Sequence, residues 1–404
     1  MDTITHGIAG ALIGKAVFRG DDMLALRDMN RRRIITWALM VGAIFPDADV
    51  FRDVFSNDDL LLITWHRSIT HSLLCLPFFA LGLAALTRLF VRWRKWDAPG
   101  FGVLTGIYAV GILSHILLDL VTSFGTMIWS PLKWSRPAWD VIFIVDFTFT
   151  AILLIPQLLA WVYAHPEKLK RRAFGIWLVF LPVPLLIAAI GRAVGAPISF
   201  PAIIAAVALF TAIFLLPALR GWGLRIRHSS WNIAGFAGAL VYLALAVYGH
   251  HVALDRVQAF AAWDHLDVQA LGALPSPPSL WQWDGLIRTP HGVYELRMDL
   301  SDKSSLTPAP AANSSSDPSV EYRFYPEAFS NSYIDAARRL PEVQKVLWFA
   351  RFPVTRFRKE GDEAVVEISD MRFVSRRPGR APSFTYRVTF AGDGSVLSQG
   401  WVRP

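Results

Sequence analysis

The sequence predicts an all-α polytopic membrane domain of seven to eight transmembrane helices, followed by a small extracytoplasmic α+β domain. Three observations predict it. Only 18% of the 404 residues are Asp, Glu, Lys or Arg, against roughly 25% in an ordinary soluble domain. Apolar runs near the length of about 20 residues needed to cross a bilayer recur through the first 254 positions. The Lys and Arg residues lie in short clusters between those runs, as membrane topology signals do, so no nucleic-acid partner is expected despite a net charge of +8.

The candidate spans are 34–51, 69–91, 101–121, 139–163, 173–194, 200–218 and 231–253. An eighth segment, 4–18, is short and contains Lys15, but Gly7, Gly10 and Gly14 give it a smooth face for close helix packing. It has no basic region before it and no small-residue cleavage site after it, so it is read as retained rather than as a signal peptide. If it crosses, the connecting loops fall into two sets. Loops 19–33, 88–96, 165–172 and 219–228 hold sixteen Lys and Arg residues, whereas 52–68, 122–138 and 192–199 hold five. Lys and Arg favour the cytoplasmic side, so the first set faces inward. The expected location is the inner (cytoplasmic) membrane, and the lipid bilayer is the first expected partner. The single cysteine, Cys75, excludes an internal disulfide and a cysteine zinc site.

Three parts follow: 1–160, 161–254 and 255–404. The last has no long apolar run. Alternating stretches at 292–298 and 364–368 read as strands, Asp393-Gly394 as a hairpin turn, and 332–348 as one amphipathic helix. A low-complexity segment runs from Thr307 to Ser319. No catalytic motif is found there, so this domain is expected to be separable from any site.

The informative residues are ionisable ones at or inside the apolar spans, because a charge there costs several kcal/mol and is kept for a purpose. Asp47 and Asp49 end an outward span, His66 and His71 begin an inward one, His115 and Asp119 end the next outward one, and His6 begins the first segment. Four pieces of chain thus deliver His and Asp to one membrane face. His115 and Asp119 are spaced i, i+4 and point the same way on a helix. His66 and His71 would diverge by roughly 140° on a continuous helix, so both serve one ion only if His66 lies in the loop before it. Any one of these side chains alone reads more readily as an interfacial residue; their convergence favours a site. Asp140 and Asp146 are read as structural, and so are His165, His228, His250, His251, His265 and His291.

In order, Thr5-His6-Gly7, Phe45-Pro46-Asp47-Ala48-Asp49, His66-Arg67-Ser68-Ile69-Thr70-His71-Ser72 and Ser114-His115-x3-Asp119-x3-Ser123-Phe124-Gly125 resemble the YdjM-like family of inner-membrane metal-dependent hydrolases, over about residues 1–160. The resemblance implies a metal and hydrolysis but names no substrate. The order of the ligands is also similar to that of zinc-dependent phospholipase C enzymes, whose later His and Glu ligands have no match here.

The expected metal ligands are therefore His6, Asp47, His66, His71, His115 and Asp119, holding one or two divalent ions. A mixed His/Asp set suits zinc first, with manganese or iron(II) as alternatives. Asp49 is a further ligand or the general base, and Arg67 is placed to clamp a phosphate or carboxylate or to anchor a headgroup. The expected activity is hydrolysis of a phosphoester or ester presented by the membrane. Two other classes use the same residues: an ion-coupled transporter or proton relay, and a non-catalytic envelope protein with a structural metal.

Overall fold

The computed structural model describes all residues except 18–25, 57, 195–197, 278–279, 302–320, 375–380 and 403–404. The segment Thr307 to Ser319 lies outside the described residues. The membrane domain begins with α1 (Thr3–Val17) and α2 (Leu26–Ile44), followed by α3 (Leu76–Trp93), α4 (Phe101–Leu120) and α5 (Phe147–Tyr163). Then come α6 (Pro166–Ala193), α7 (Phe200–Arg220) and α8 (His228–Trp263). Five of these, α3, α4, α6, α7 and α8, are long and apolar enough to cross a bilayer, and α5 is a shorter apolar helix. α1 has only 15 residues, and α2 carries Arg31, Arg32 and Arg33 in its first half.

Glycine lets α1 and α4 close on α2 from two sides. A methyl group at Gly10 would meet Leu39 O at 2.7 Å, and one at Gly111 would meet the same oxygen at 2.8 Å. Both contacts are with backbone, which cannot swing aside. Gly10→Val is therefore expected to destabilise the protein by about 1–3 kcal/mol through overpacking, read as a lower unfolding midpoint in detergent. An unchanged midpoint would show that α1 is not seated on α2.

Several helices start or stop inside their predicted spans, each for a local reason. α2 ends at Ile44 because Pro46 opens a 3-10 turn, Phe45–Val50, that carries both aspartates. The expected 69–91 helix starts only at Leu76; His71 sits on a separate short turn, Ile69–His71. The expected 139–163 helix starts at Phe147, where Asp146 caps it by accepting the Phe149 N–H at 3.0 Å. Residues 121–146 are instead an irregular crossing loop. The composition change near 254 falls within α8, whose 36 residues span roughly 54 Å, well beyond a 30 Å hydrocarbon core.

The C-terminal domain is α+β, with two four-stranded antiparallel sheets in orders β1-β2-β3-β4 and β5-β6-β7-β8. The strands are β1 (Ala270–Ser276), β2 (Gln282–Thr289), β3 (Gly292–Asp299), β4 (Glu321–Pro326), β5 (Pro353–Glu360), β6 (Glu363–Asp370), β7 (Thr385–Phe390) and β8 (Val396–Trp401). Gly394 takes φ +87° in the β7–β8 turn, as the Asp-Gly pair predicted. The single helix expected over 332–348 is two, α9 (Ser332–Arg339) and α10 (Pro341–Phe349). Pro341 forces Leu340 into extended backbone, ψ 134°.

The domain packs against the membrane part. Leu60, Ile63 and Phe124 join the same core as Val343, Val346, Phe349, Val366 and Val388. Arg351 grips Asp140 with two hydrogen bonds of 2.9 and 2.8 Å.

Candidate metal centre

Three elements and one loop bring the chemistry together. The 3-10 turn after α2 supplies Asp47 and Asp49, the loop before α3 supplies His66 to His71, α4 supplies His115 and Asp119, and α1 supplies His6. Asp47, His71, His115 and Asp119 each offer one donor atom, and these atoms all lie within 4.8 Å of one another. His115 Nε2 lies 3.0 Å from His71 Nε2, 3.5 Å from Asp47 Oδ1 and 3.5 Å from Asp119 Oδ2. His71 Nε2 lies 3.2 Å from Asp119 Oδ2 and 3.8 Å from Asp47 Oδ1. Donors about 2.0–2.2 Å from a tetrahedral zinc would stand roughly 3.3–3.6 Å apart. The observed distances bracket that range.

Tautomers sharpen the fit. His115 Nδ1 is 2.6 Å from Ala43 O, and a carbonyl only accepts, so Nδ1 carries the proton. The Thr70 hydroxyl donates to Asp49 Oδ2 at 3.1 Å, leaving its oxygen to accept from His71 Nδ1 at 3.0 Å. In the neutral rings both Nε2 atoms then present lone pairs to each other and to two carboxylate oxygens. A proton relieves at most two of those four atoms, whereas a divalent cation satisfies all four. The outer partners, Ala43 O and the Thr70–Asp49 pair, are of the kind that orient metal-binding imidazoles.

The remaining predicted residues surround this group. His6 stacks on His115 with ring centroids 3.7 Å apart, and its Nε2 is 3.2 Å from Asp119 Oδ1. Its Nδ1 is buried with no hydrogen-bond partner among the described residues. His66 is not among the four; it lies in the loop, and its Nδ1 meets Asp49 Oδ1 at 2.9 Å. Asp49 is the hub of that loop, also accepting the Arg67 backbone N–H at 2.9 Å. Arg67 itself is 2% exposed. Its Nε pairs with Asp119 Oδ2 at 2.9 Å and its Nη1 donates to Thr122 Oγ1 at 3.0 Å. The guanidinium is thus turned inward, onto a donor of the cluster, rather than outward to a substrate. Arg67 has φ 61°, a conformation that costs a non-glycine residue of order 1–3 kcal/mol; the Asp49 contact and the Met127 N–H on its carbonyl, 2.9 Å, hold it there.

Asp140 and Asp146 have the structural roles expected: Asp140 binds Arg351, and Asp146 caps α5 while accepting the Tyr242 hydroxyl at 2.6 Å. Sequence reasoning missed Thr3, Thr70, Thr122 and Arg136. Thr3 donates to Asp47 Oδ2 at 2.5 Å. Thr70 lies inside a quoted motif and was legible there; the others carry no local signal.

Residues 1–195 match the family model described as YdjM inner membrane protein, the family that the motifs resemble. No match was found among curated proteins or among solved structures.

Proposed function

We propose that this protein, an inner-membrane chain whose residues 1–195 match the YdjM family model, is a metal-dependent hydrolase. Its substrate would be a phosphoester or ester of a lipid or lipid-linked molecule. The observation that carries the reading is the buried Asp47, His71, His115 and Asp119 group standing beside an oriented His66–Asp49 pair. Zinc is the favoured ion for two imidazoles and two carboxylates. Bound there, it would supply Lewis acidity to polarise a substrate oxygen and to acidify water.

The chain's own residues do the rest. Asp49 on Nδ1 fixes the His66 ring and leaves Nε2 as the nitrogen that takes or gives a proton. His66 keeps 15% of its side chain exposed, so this proton can reach the rim of the site. Arg67 holds Asp119 in place. Around the same end of the bundle, Phe51, Phe55, Leu132 and Trp139 are 69%, 87%, 81% and 50% exposed. Such side chains suit the lipid–water boundary and favour a substrate that arrives from the membrane.

His66→Gln should retain the metal and lose about 10²–10⁴-fold in kcat, the usual range for a general acid–base group. The assay is release of product from phosphatidylglycerol vesicles and from bis-p-nitrophenyl phosphate by zinc-loaded protein. A variant as active as the wild type would remove His66 from the reaction. The structural-metal reading is favoured by one fact: His71, His115 and Asp119 are 0% exposed. Stoichiometric zinc binding with no hydrolysis of either substrate would favour it over the hydrolase.

The charge asymmetry of the loops favours an extracytoplasmic position for this end of the bundle and for the C-terminal domain. Phe55→Cys in a Cys75→Ser background is expected to react with an impermeant maleimide in intact cells. Labelling only after lysis would reverse the orientation.

A further inference from the structure

Phe124 lies where the two domains meet, and cationic and aromatic groups from both sides close on its ring. On the membrane side, the Arg67 guanidinium sits 5.1 Å from its ring centroid and that of Arg136 4.9 Å away. On the other side, Phe349, Phe373 and Phe384 of the C-terminal domain lie 5.2, 6.3 and 6.0 Å from it. Arg136 is held in this interface by Phe349, 5.3 Å, and Trp348, 5.9 Å. Its guanidinium donates to three backbone carbonyls: Ile63 O, His66 O at 3.0 Å and Gly125 O at 3.3 Å. Those carbonyls belong to the segment that leads into His71 and to the loop that follows α4. Burial, reinforced by repulsion from Arg67 and Arg372, brings the Arg136 pKa down to about 9; among the described residues no carboxylate hydrogen-bonds to it.

The C-terminal domain fastens the same loops at further points. Arg372, paired with Asp370 at 2.7 Å, donates to Ser123 O at 2.8 Å and to Phe349 O at 2.8 Å. Trp401 Nε1 donates to Asp59 O at 2.7 Å. From Phe124 the line of contact runs through Arg67 to Asp119, a donor of the cluster.

We propose that the C-terminal domain is a positioning unit for the metal centre, acting through Phe124 and Arg136 on Arg67, Asp119 and the His66–His71 loop. Arg136 is then a positioning residue and not a catalytic one. An aromatic wall and a forked donor are suited to this: the wall sets where the loops sit, and the fork fixes their carbonyls at once. The part that concerns the metal rests on the reading given under Proposed function; the mechanical coupling does not.

The test uses full-length protein and three substitutions: Phe349→Leu and Arg136→Gln, with Trp401→Phe as the mildest cut in the interface. Two signals are read: amide hydrogen exchange over residues 63–73, and the visible absorption of Co²⁺ titrated into the site. Exchange there is expected to quicken about tenfold while the β5–β7 amides stay protected, and the Co²⁺ band is expected to shift or its affinity to fall about tenfold. Unchanged exchange in all three variants would overturn the coupling. Quickened exchange with an unaltered Co²⁺ spectrum would also overturn the proposal, leaving the interface a mere brace. If the wild type gives no Co²⁺ band, the metal reading fails, and quickened exchange would still support the coupling.

Discussion

Replacing His115 with alanine should abolish stoichiometric zinc binding by the detergent-purified protein and erase the rise in unfolding temperature that zinc gives the wild type. A ligand that binds only the folded state stabilises it by about 2.7 kcal/mol at a hundred times its dissociation constant, so the wild-type shift should be several degrees. His115 Nε2 touches each of the other three donors, at 3.0 to 3.5 Å. The loss should exceed the roughly 10–100-fold that removal of an outer partner costs; Thr70→Val, which breaks the His71–Asp49 link, should fall in that smaller range. His165→Ala is the control, because His165 is half exposed and pairs with Glu167, away from the cluster. Full zinc binding by the His115 variant would mean that the four donors are a hydrogen-bonded cluster, and the proton-relay alternative would become the better account.

The sequence showed one part of this site clearly. Charges are so costly in an apolar span that His115, Asp119 and the two aspartates after Pro46 stood out without any structure. Their shared face followed from span direction alone. The division of labour between His66 and His71 did not follow, since the helix boundary near 69 could not be read from an apolar run that continues through a turn. With α3 starting at Leu76, the i, i+5 conflict disappears and His66 is free to pair with Asp49. In the sequence, Arg67 beside the ligands suits either an anion clamp or a headgroup anchor; in the structure, burial and the Asp119 contact turn it inward. Arg136 was invisible for a different reason. Its partners are backbone carbonyls and the rings of a domain more than 200 residues away in sequence, and no local pattern encodes such contacts. The two sheets were foreshadowed by alternating stretches, but their docking on Leu60, Ile63 and Phe124 depends on shape, which periodicity does not carry.

The two carboxylates of the cluster should separate metal binding from folding. Asp119 is fully buried and neutralises Arg67, with the Met1 amine on its other oxygen. Asp119→Ala should therefore lose the metal and also destabilise the apo protein by about 3–5 kcal/mol, because a buried cation is left without its partner. Asp47 sits at the outer edge, with 9% of its side chain exposed; it accepts a hydrogen bond from the Thr3 hydroxyl and otherwise faces the two imidazoles, 3.5 and 3.8 Å away. Asp47→Ala should lose the metal while the apo unfolding midpoint hardly moves. The double variant Arg67→Met, Asp119→Ala then distinguishes the causes. Removing both charges should restore much of the apo stability, since the penalty lies in the unpaired charge rather than in the lost pair, but it cannot restore a missing donor. If the double variant is as unstable as Asp119→Ala alone, the cost lies in packing around α4. If Asp47→Ala keeps its zinc, the cluster binds through other atoms than the four that meet here.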